Sequence, residues 1–390
     1  MFVLGRSLFF HMGWLLRRMN DLRGIEAQQS WSLTGGHRTL GRRLFAPWSL
    51  VALVVCVDIT VAQPAEPVEL EHFRFVKAIT LSDPESVSSE PLLIAQIKSL
   101  DVAADGRMLI VDMLGQQAFL FGPDGNLLSV LDPSVCHPGF EVRPVHAKFI
   151  GNQSIFLSNA SPWGYRFTSE GGCLGSVDPD YIMVVNANAL DTDAQGDLIS
   201  FNRHLDKSVV RRMGASGKLL QEYTLPASDY PNATYGIGTG GLVADKTHHF
   251  YAGPVEPNIL KLTPDGAVVD RIAHRTSWFR DVSQDMPDRS NNLAARMQAS
   301  GRLWASSTVV TELFELTDQL LMIQYTNADR GRGYQIFTKE GQFIAQELGI
   351  QVSFKHGAGG LVYRVVQPDL DDRGELPNPY IEVYQFNAPQ

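Results

Sequence analysis

The chain is poor in cysteine, poor in charge and nearly free of long apolar runs, and each shortage removes a class of protein. With 19% charged residues and a net charge of −9, it lacks the basic stripe that neutralising a phosphate backbone requires, so nucleic acid is not expected as a partner. Its longest apolar run, Leu44 to Val57, is, at a helical rise of about 1.5 Å per residue, too short to cross a hydrocarbon core of about 30 Å comfortably. No His-Glu-x-x-His, Gly-x-Ser-x-Gly or phosphate-loop pattern occurs, which withdraws the common signatures of zinc hydrolases, serine hydrolases and P-loop enzymes.

That one apolar run follows Arg38, Arg42 and Arg43 and precedes Thr60-Val61-Ala62-Gln63, small residues that suit cleavage after Ala62. This is the layout of a secretory signal. Residues 1–62 therefore read as a leader with a signal peptide that is cleaved, and residues 63–390 as the working domain. The protein is expected to be exported, periplasmic or extracellular, touching a membrane only through an uncleaved leader; a signal anchor is the lesser alternative. Arg42-Arg43 reads as an ordinary positive region rather than a twin-arginine signal, and Val55 stands where lipid attachment at Cys56 would want a small residue. Two cysteines remain, Cys136 and Cys173. They lie near the ends of consecutive repeat units, where a disulfide between neighbours or a pair of reduced, buried thiols both fit.

The repeat is the dominant feature. Between Lys98 and Leu131, short alternating strands at 99–103, 107–111, 117–121 and 126–131 are separated by Asp105-Gly106, a polar break and Pro123-Asp124-Gly125, as in a four-stranded antiparallel sheet. The last turn returns as Ser169-Glu170-Gly171, Ala215-Ser216-Gly217, Pro264-Asp265-Gly266 and Lys339-Glu340-Gly341. Its glycines are spaced by 46, 46, 49 and 75 residues, which makes three regular units and one with an insertion at about 274–302. A sixth unit begins at Gly359-Gly360-Leu361 and ends with Tyr380 to Phe386, without an outer strand. The donor is Phe73 to Leu81 at the other end of the chain. The expected fold is all-β: a six-bladed β-propeller, its ring closed by the N-terminal strand completing the last blade, which leaves no exposed edge for aggregation.

Leu100-Asp101-Val102-Ala103, Asp105-Gly106, Ile110-Val111-Asp112 and Phe121 with Pro123-Asp124-Gly125 resemble the NHL repeat. Units two and five depart from that pattern, carrying Asn159 and Asn327 near the place of the Asp that ends the second strand. At the level of architecture the chain is similar to the six-bladed, NHL-like propellers of exported bacterial proteins from Phe73 to Phe386. That resemblance implies a fold and not an activity, because propellers host binding modules and unrelated enzymes alike.

Candidate chemistry follows from the topology. Loops entering the inner strands and loops joining second to third strands converge on one axial face, where His146, Trp163, Arg203, His204, Arg275, Trp278, Arg280, Arg330, Arg332 and His356 are placed as candidate ligand contacts, with Asn202, Tyr235, His274, Tyr325 and Lys355 beside them. His146 and His356, each just before an inner strand, together with a third group such as His204, resemble the metal set of the zinc-bearing propellers of peptide-amidating lyases. No local ligand spacing supports a metal, so no cofactor is expected, zinc or calcium being the alternative. A gluconolactonase-like site is disfavoured because Lys98 stands where an acid is needed. Gly236 to Gly241 spells a dinucleotide fingerprint but leads into a strand rather than a helix. Asp369, Asp371, Asp372 and Gly374 begin a calcium loop that Arg373 and Tyr380 spoil. The insertion carries Arg275, Trp278, Arg280, Arg289, Arg296 and Arg302 against Asp281, Asp285 and Asp288. The reading is a non-enzymatic binding module for a protein, a carbohydrate or a small anionic ligand, with no catalytic residue assigned. The alternative is a metal-dependent lyase or hydrolase working in the axial funnel.

Overall fold

The computed structural model describes residues 67–83, 92–138, 143–151, 154–159, 164–177, 189–203, 208–214, 216–225, 240–273, 278, 307–327, 330–370 and 376–389. These residues form six four-stranded antiparallel sheets. Among the described residues the first strand is β1 (Phe73–Thr80). Blade one is β2 (Ile97–Val102), β3 (Met108–Asp112), β4 (Gln117–Phe121) and β5 (Leu127–Leu131), followed by the short helix α1 (Pro133–Cys136). Blade two is β6 (Pro144–Ile150), β7 (Ser154–Asn159), β8 (Gly164–Thr168) and β9 (Cys173–Ser176). Blade three is β10 (Ala189–Thr192), β11 (Leu198–Arg203), β12 (Ser208–Met213) and β13 (Leu219–Thr224); blade four is β14 (Gly241–Ala244), β15 (His249–Ala252), β16 (Asn258–Leu262) and β17 (Val268–Ala273). Blade five is β18 (Thr308–Thr317), β19 (Leu320–Asn327), β20 (Gly331–Thr338) and β21 (Phe343–Ile350). Blade six is β22 (Phe354–Ala358), β23 (Leu361–Val366) and β24 (Tyr380–Phe386), with β1 as its outermost strand.

The period of two in each strand explains the ring. In β3 every residue is buried. Met108 and Ile110 pack with Ile381 and Val383 of blade six, whereas Leu109 and Val111 pack with Ala147, Phe149 and Leu157 of blade two. Alternate side chains of one strand thus serve opposite neighbours, as pleat geometry requires. The same division recurs between blades two and three, three and four, four and five, and five and six, so the interblade core closes on itself. Fully burying one such Leu, Ile or Phe contributes about 1.5–3 kcal/mol.

Closure uses backbone as well as side chains. β1 pairs with β24 from Phe73 against Phe386 to Thr80 against Tyr380, with a bulge at Val76. Beyond β1, the Ser82 N–H donates to the Gly125 carbonyl at 3.0 Å and Leu127 N–H donates to the Ser82 carbonyl at 2.8 Å, tying blade six to blade one. Gly125 has φ of +89°, and a Cβ there would lie 2.2 Å from the Thr80 carbonyl oxygen; both facts require glycine at this turn. Cys136 on α1 and Cys173 on β9 form a disulfide with their Cα atoms 5.6 Å apart, joining the exit of blade one to the outer strand of blade two.

The Asp that ends the second strand has a structural task. Asp112, fully buried, accepts from Ala95 N–H at 2.8 Å, Gln96 N–H at 2.9 Å and Leu114 N–H at 3.1 Å, fixing the segment that leads into β2. Asn327 does similar work in blade five: its side chain accepts from Arg330 N–H at 3.1 Å and donates to Thr308 Oγ1 at the start of β18 at 3.1 Å. An amide therefore replaces the carboxylate where one partner is an acceptor.

Two expectations are corrected. The inner strand of the sixth blade is β22, starting at Phe354, and not the strand after Gly359-Gly360; His146 and His356 consequently lie within inner strands rather than before them. Bulges at Val145 and Lys355 interrupt the alternation at those strand entries and hide the true start. Tyr325 is a core residue, 1% exposed, donating to Gln335 Oε1 at 2.7 Å, because β19 runs on to Asn327 and carries it between the blades. The insertion at about 274–302 lies outside the described residues apart from Trp278, as do most of 369–374 and Gly236 to Thr239.

Candidate functional site

The six inner strands, β2, β6, β10, β14, β18 and β22, contact one another in ring order and enclose a cavity of about 460 Å³. Every inner strand enters from the outer strand of the blade before it, so all six begin at the same mouth. The wall is unusual for strands in charge alone: Lys98, Lys148 and Lys355 face Asp101, Asp191, Glu312, Glu315 and Asp318, with His146 and His356 among them.

Below the mouth these charges are committed to one another. Lys148 Nζ lies 3.0 Å from Asp101 Oδ1 and 3.1 Å from Asp191 Oδ1. Asp101 Oδ2 accepts from Phe149 N–H at 2.8 Å, and His356 Nδ1 lies 3.3 Å from Asp101 Oδ1. Asp191 Oδ2 accepts from Ala244 N–H at 2.8 Å. The resulting belt runs from blade six through blades one, two and three to blade four. Each link crosses between sheets that share no ladder. Burial alone would raise the Asp101 carboxyl, but Lys148, His356 and the Phe149 N–H overcome it and hold the group well below the usual carboxylate range. Burial would likewise lower Lys148; the two carboxylates prevail and raise it. Both groups are thereby held in their charged forms, which suits a belt that ties blades together.

Farther from the mouth, Lys339 Nζ bridges Asp245 Oδ2 at 3.0 Å and Glu315 Oε1 at 2.8 Å, joining blades four and five. His249, 1% exposed, lies on that side too, its Nδ1 2.8 Å from the Tyr223 hydroxyl.

The mouth differs. Lys98 from β2, His146 from β6, Glu312 from β18 and Lys355 from β22 all line the cavity. Lys355 Nζ approaches Glu312 Oε1 only to 3.9 Å, and Lys98 makes no ion pair or hydrogen bond among the described residues. Although 35% of the Glu312 side chain is open to the channel, protein surrounds it, and burial pushes its carboxyl up to about 7 against the pull of Lys355 and Lys98. Burial pushes His146 down to about 4, helped by the same two lysines, so its imidazole is neutral at physiological pH. β10 and β14 add no charge at this level, presenting Leu190 and Gly240 to Leu242.

Of the residues expected on this face, His146, Lys355 and His356 line the cavity. Trp278 lies beside the entry of β18, where its carbonyl accepts from Thr308 Oγ1 at 2.7 Å. Arg330, on the connection between β19 and β20, and Arg332, at the start of β20, are exposed and do not line the cavity. Arg203 ends β11, but its side chain, like Trp163, His204, Arg275 and Arg280, falls outside the described residues. Among the described residues no group of three or more His, Cys, Asp or Glu is placed to hold a metal ion, and two lysines near His146 oppose a cation there. Sequence reasoning missed Asp101, Lys148, Asp191, Glu312 and Glu315. The signal available was a charged residue inside each of the inner strands β2, β6, β10, β18 and β22.

No protein-family model matches the chain, and no curated protein matches it in sequence. Among solved structures, a protein of Bacteroides fragilis described as exported aligns with a TM-score of 0.53 at 11% identity, covering 81% of this chain and 95% of that one. A streptogramin B lyase aligns at 0.45 and 12% identity over 82% and 89%, and a virginiamycin B lyase from Staphylococcus aureus at 0.44 and 12% over 75% and 95%. The first of these supports the propeller fold, and at such identities fold is all that the likeness carries.

Proposed function

We propose that this protein is an exported, NHL-like β-propeller that works as a binding module through the mouth of its axial channel. One observation carries the reading: the charges below the mouth are spent on tying blades together, whereas Lys98 and Lys355 at the mouth keep theirs available in an open cavity. Ligand pockets commonly combine a preformed concave wall with a few such convergent polar groups. Export agrees with the leader at residues 1–62, with the disulfide between Cys136 and Cys173, which oxidising compartments favour, and with the fold shared with an exported protein. No helix among the described residues is long and apolar enough to cross a membrane.

The alternative, a metal-dependent lyase or hydrolase in the same funnel, draws its support from His146 and His356 on one wall. The two lysines beside His146 argue against it, because they oppose a cation there. Thermal-shift titration with neutral sugars, sugar acids and small carboxylates separates the two. A binding module gains melting temperature with ligand concentration, returns the ligand chemically unchanged, and loses the effect in His146→Trp, which fills the mouth. Conversion of a probe that depends on added zinc or calcium contradicts the binding reading.

A further inference from the structure

Resting on that reading, we propose that the channel mouth is a site for a small organic anion, gripped by Lys98 and Lys355 and contested by Glu312 as the protein's own counter-ion. Both lysines sit at β-bulges at the start of their strands, between Ile97 and Ser99 and between Phe354 and His356; a bulge re-aims a side chain out of the regular alternation. Two strands from neighbouring blades therefore depart from ideal pairing at the residue that brings an ammonium to the rim. Lys98 is exposed and has no partner within bonding distance among the described residues, and the 3.9 Å separation of Lys355 from Glu312 is too long for a hydrogen bond.

A second observation comes from deeper in the same wall. His356 is only 9% exposed, and with Nδ1 donating to Asp101 its Nε2 is buried without a hydrogen-bond partner. A buried polar atom left unpaired is costly, and a ligand hydroxyl that reaches it satisfies it in either protonation state of the ring. The lysines suit the anionic group, and this nitrogen takes a hydroxyl where the ligand carries one.

Glu312 sets the strength of the grip. The charged or titratable groups facing it are Lys355 on β22, Lys98 on β2 and His146 on β6, while β14 offers none. With His146 neutral, the mouth holds two lysines against one carboxylate when Glu312 is ionised and two lysines alone when it is protonated. Anion binding is therefore tighter on the acid side of the Glu312 titration, at about 7.

Calorimetric titration of the exported protein with succinate and with inorganic phosphate tests this. Saturable binding of either probe is expected, weakened by about tenfold or more in Lys98→Gln with Lys355→Gln, since a charge-assisted bond is worth about 1.5–3 kcal/mol. Glu312→Gln should tighten succinate several-fold at pH 8 and abolish the difference between pH 6 and pH 8 seen in the wild type. The tighter of the two probes assigns the acid group. Saturable binding that the double lysine variant leaves unchanged, or no saturable binding by either probe, overturns the proposal; the variants' melting curves establish that they fold. Galactose binding that is lost in His146→Trp, with neither anion bound, would leave the binding module standing and remove this assignment alone.

Discussion

Lys148 shows how a single side chain can hold several blades. It lies 3.0 Å from Asp101 and 3.1 Å from Asp191, on strands that belong to different sheets, and its removal leaves two carboxylates facing each other without a cation. Breaking a buried pair in this way costs roughly 3–5 kcal/mol. Lys148→Met is therefore expected to lower the urea midpoint markedly while Lys98→Gln, which breaks no ion pair, does not; equal melting of Lys148→Met and wild type would show the belt to be idle. The mouth residues predict a pH signature. Folded Glu312, raised to about 7 from 4.5, keeps a proton that the unfolded chain releases, so its contribution to stability falls as pH rises from 4.5 to 7. Folded His146, lowered to about 4 from 6.5, has already lost a proton that the unfolded chain retains, so its contribution rises with pH from 4 to 6.5. The two trends oppose each other. Relative to wild type, Glu312→Gln should gain stability as pH rises from 4.5 to 6.5 and His146→Gln should lose it, as read from denaturant midpoints; two variants with parallel pH profiles would contradict the assignment.

Among the elements, β1 and the disulfide carry the clearest expectations. A chain begun at Glu85 lacks the strand that pairs with β24 and the Ser82 bonds to blade one, so it exposes an edge and should lose solubility sharply; a monomeric truncation of unchanged melting temperature would refute the closure. Reducing Cys136–Cys173 should lower the melting temperature, by an amount corresponding to about 2–4 kcal/mol, and a Cys173→Ser variant should melt like the reduced protein. These elements were legible in the sequence because their signals are local. Gly125, Gly171, Gly217, Gly266 and Gly341 all have positive φ, a backbone state that favours glycine, so the turns announce themselves at a countable spacing. The belt was not legible. A charged residue in an alternating strand, such as Asp101 between Leu100 and Val102, reads as an ordinary solvent-facing position, and only ring closure turns charges from five distant inner strands toward one axis. Bulges hid the entry of β6 and β22 for a related reason: one extra residue breaks the period on which strand reading depends.

At the scale of the molecule, the interblade clusters and the ionic belt divide the labour. Apolar side chains on alternate faces of the inner and middle strands hold adjacent blades, while the polar side chains of the inner strands line a channel whose lower lysines are held between carboxylates and whose mouth lysines are not hydrogen-bonded. A cleaved leader is the expectation from the sequence for residues 1–62. Mass spectrometry of the secreted protein should give an N-terminus at Gln63, and a retained apolar run would indicate a signal anchor instead. The central claim is that the unspent positive charge of the molecule's axis is concentrated at that mouth. Crystals soaked in sodium bromide test it directly, because bromide scatters anomalously and reports where an anion rests. The account predicts a bromide peak at the mouth between Lys98 and Lys355, strengthened in Glu312→Gln; bromide found only on the outer surfaces of the blades, with none at the mouth in either protein, would contradict it.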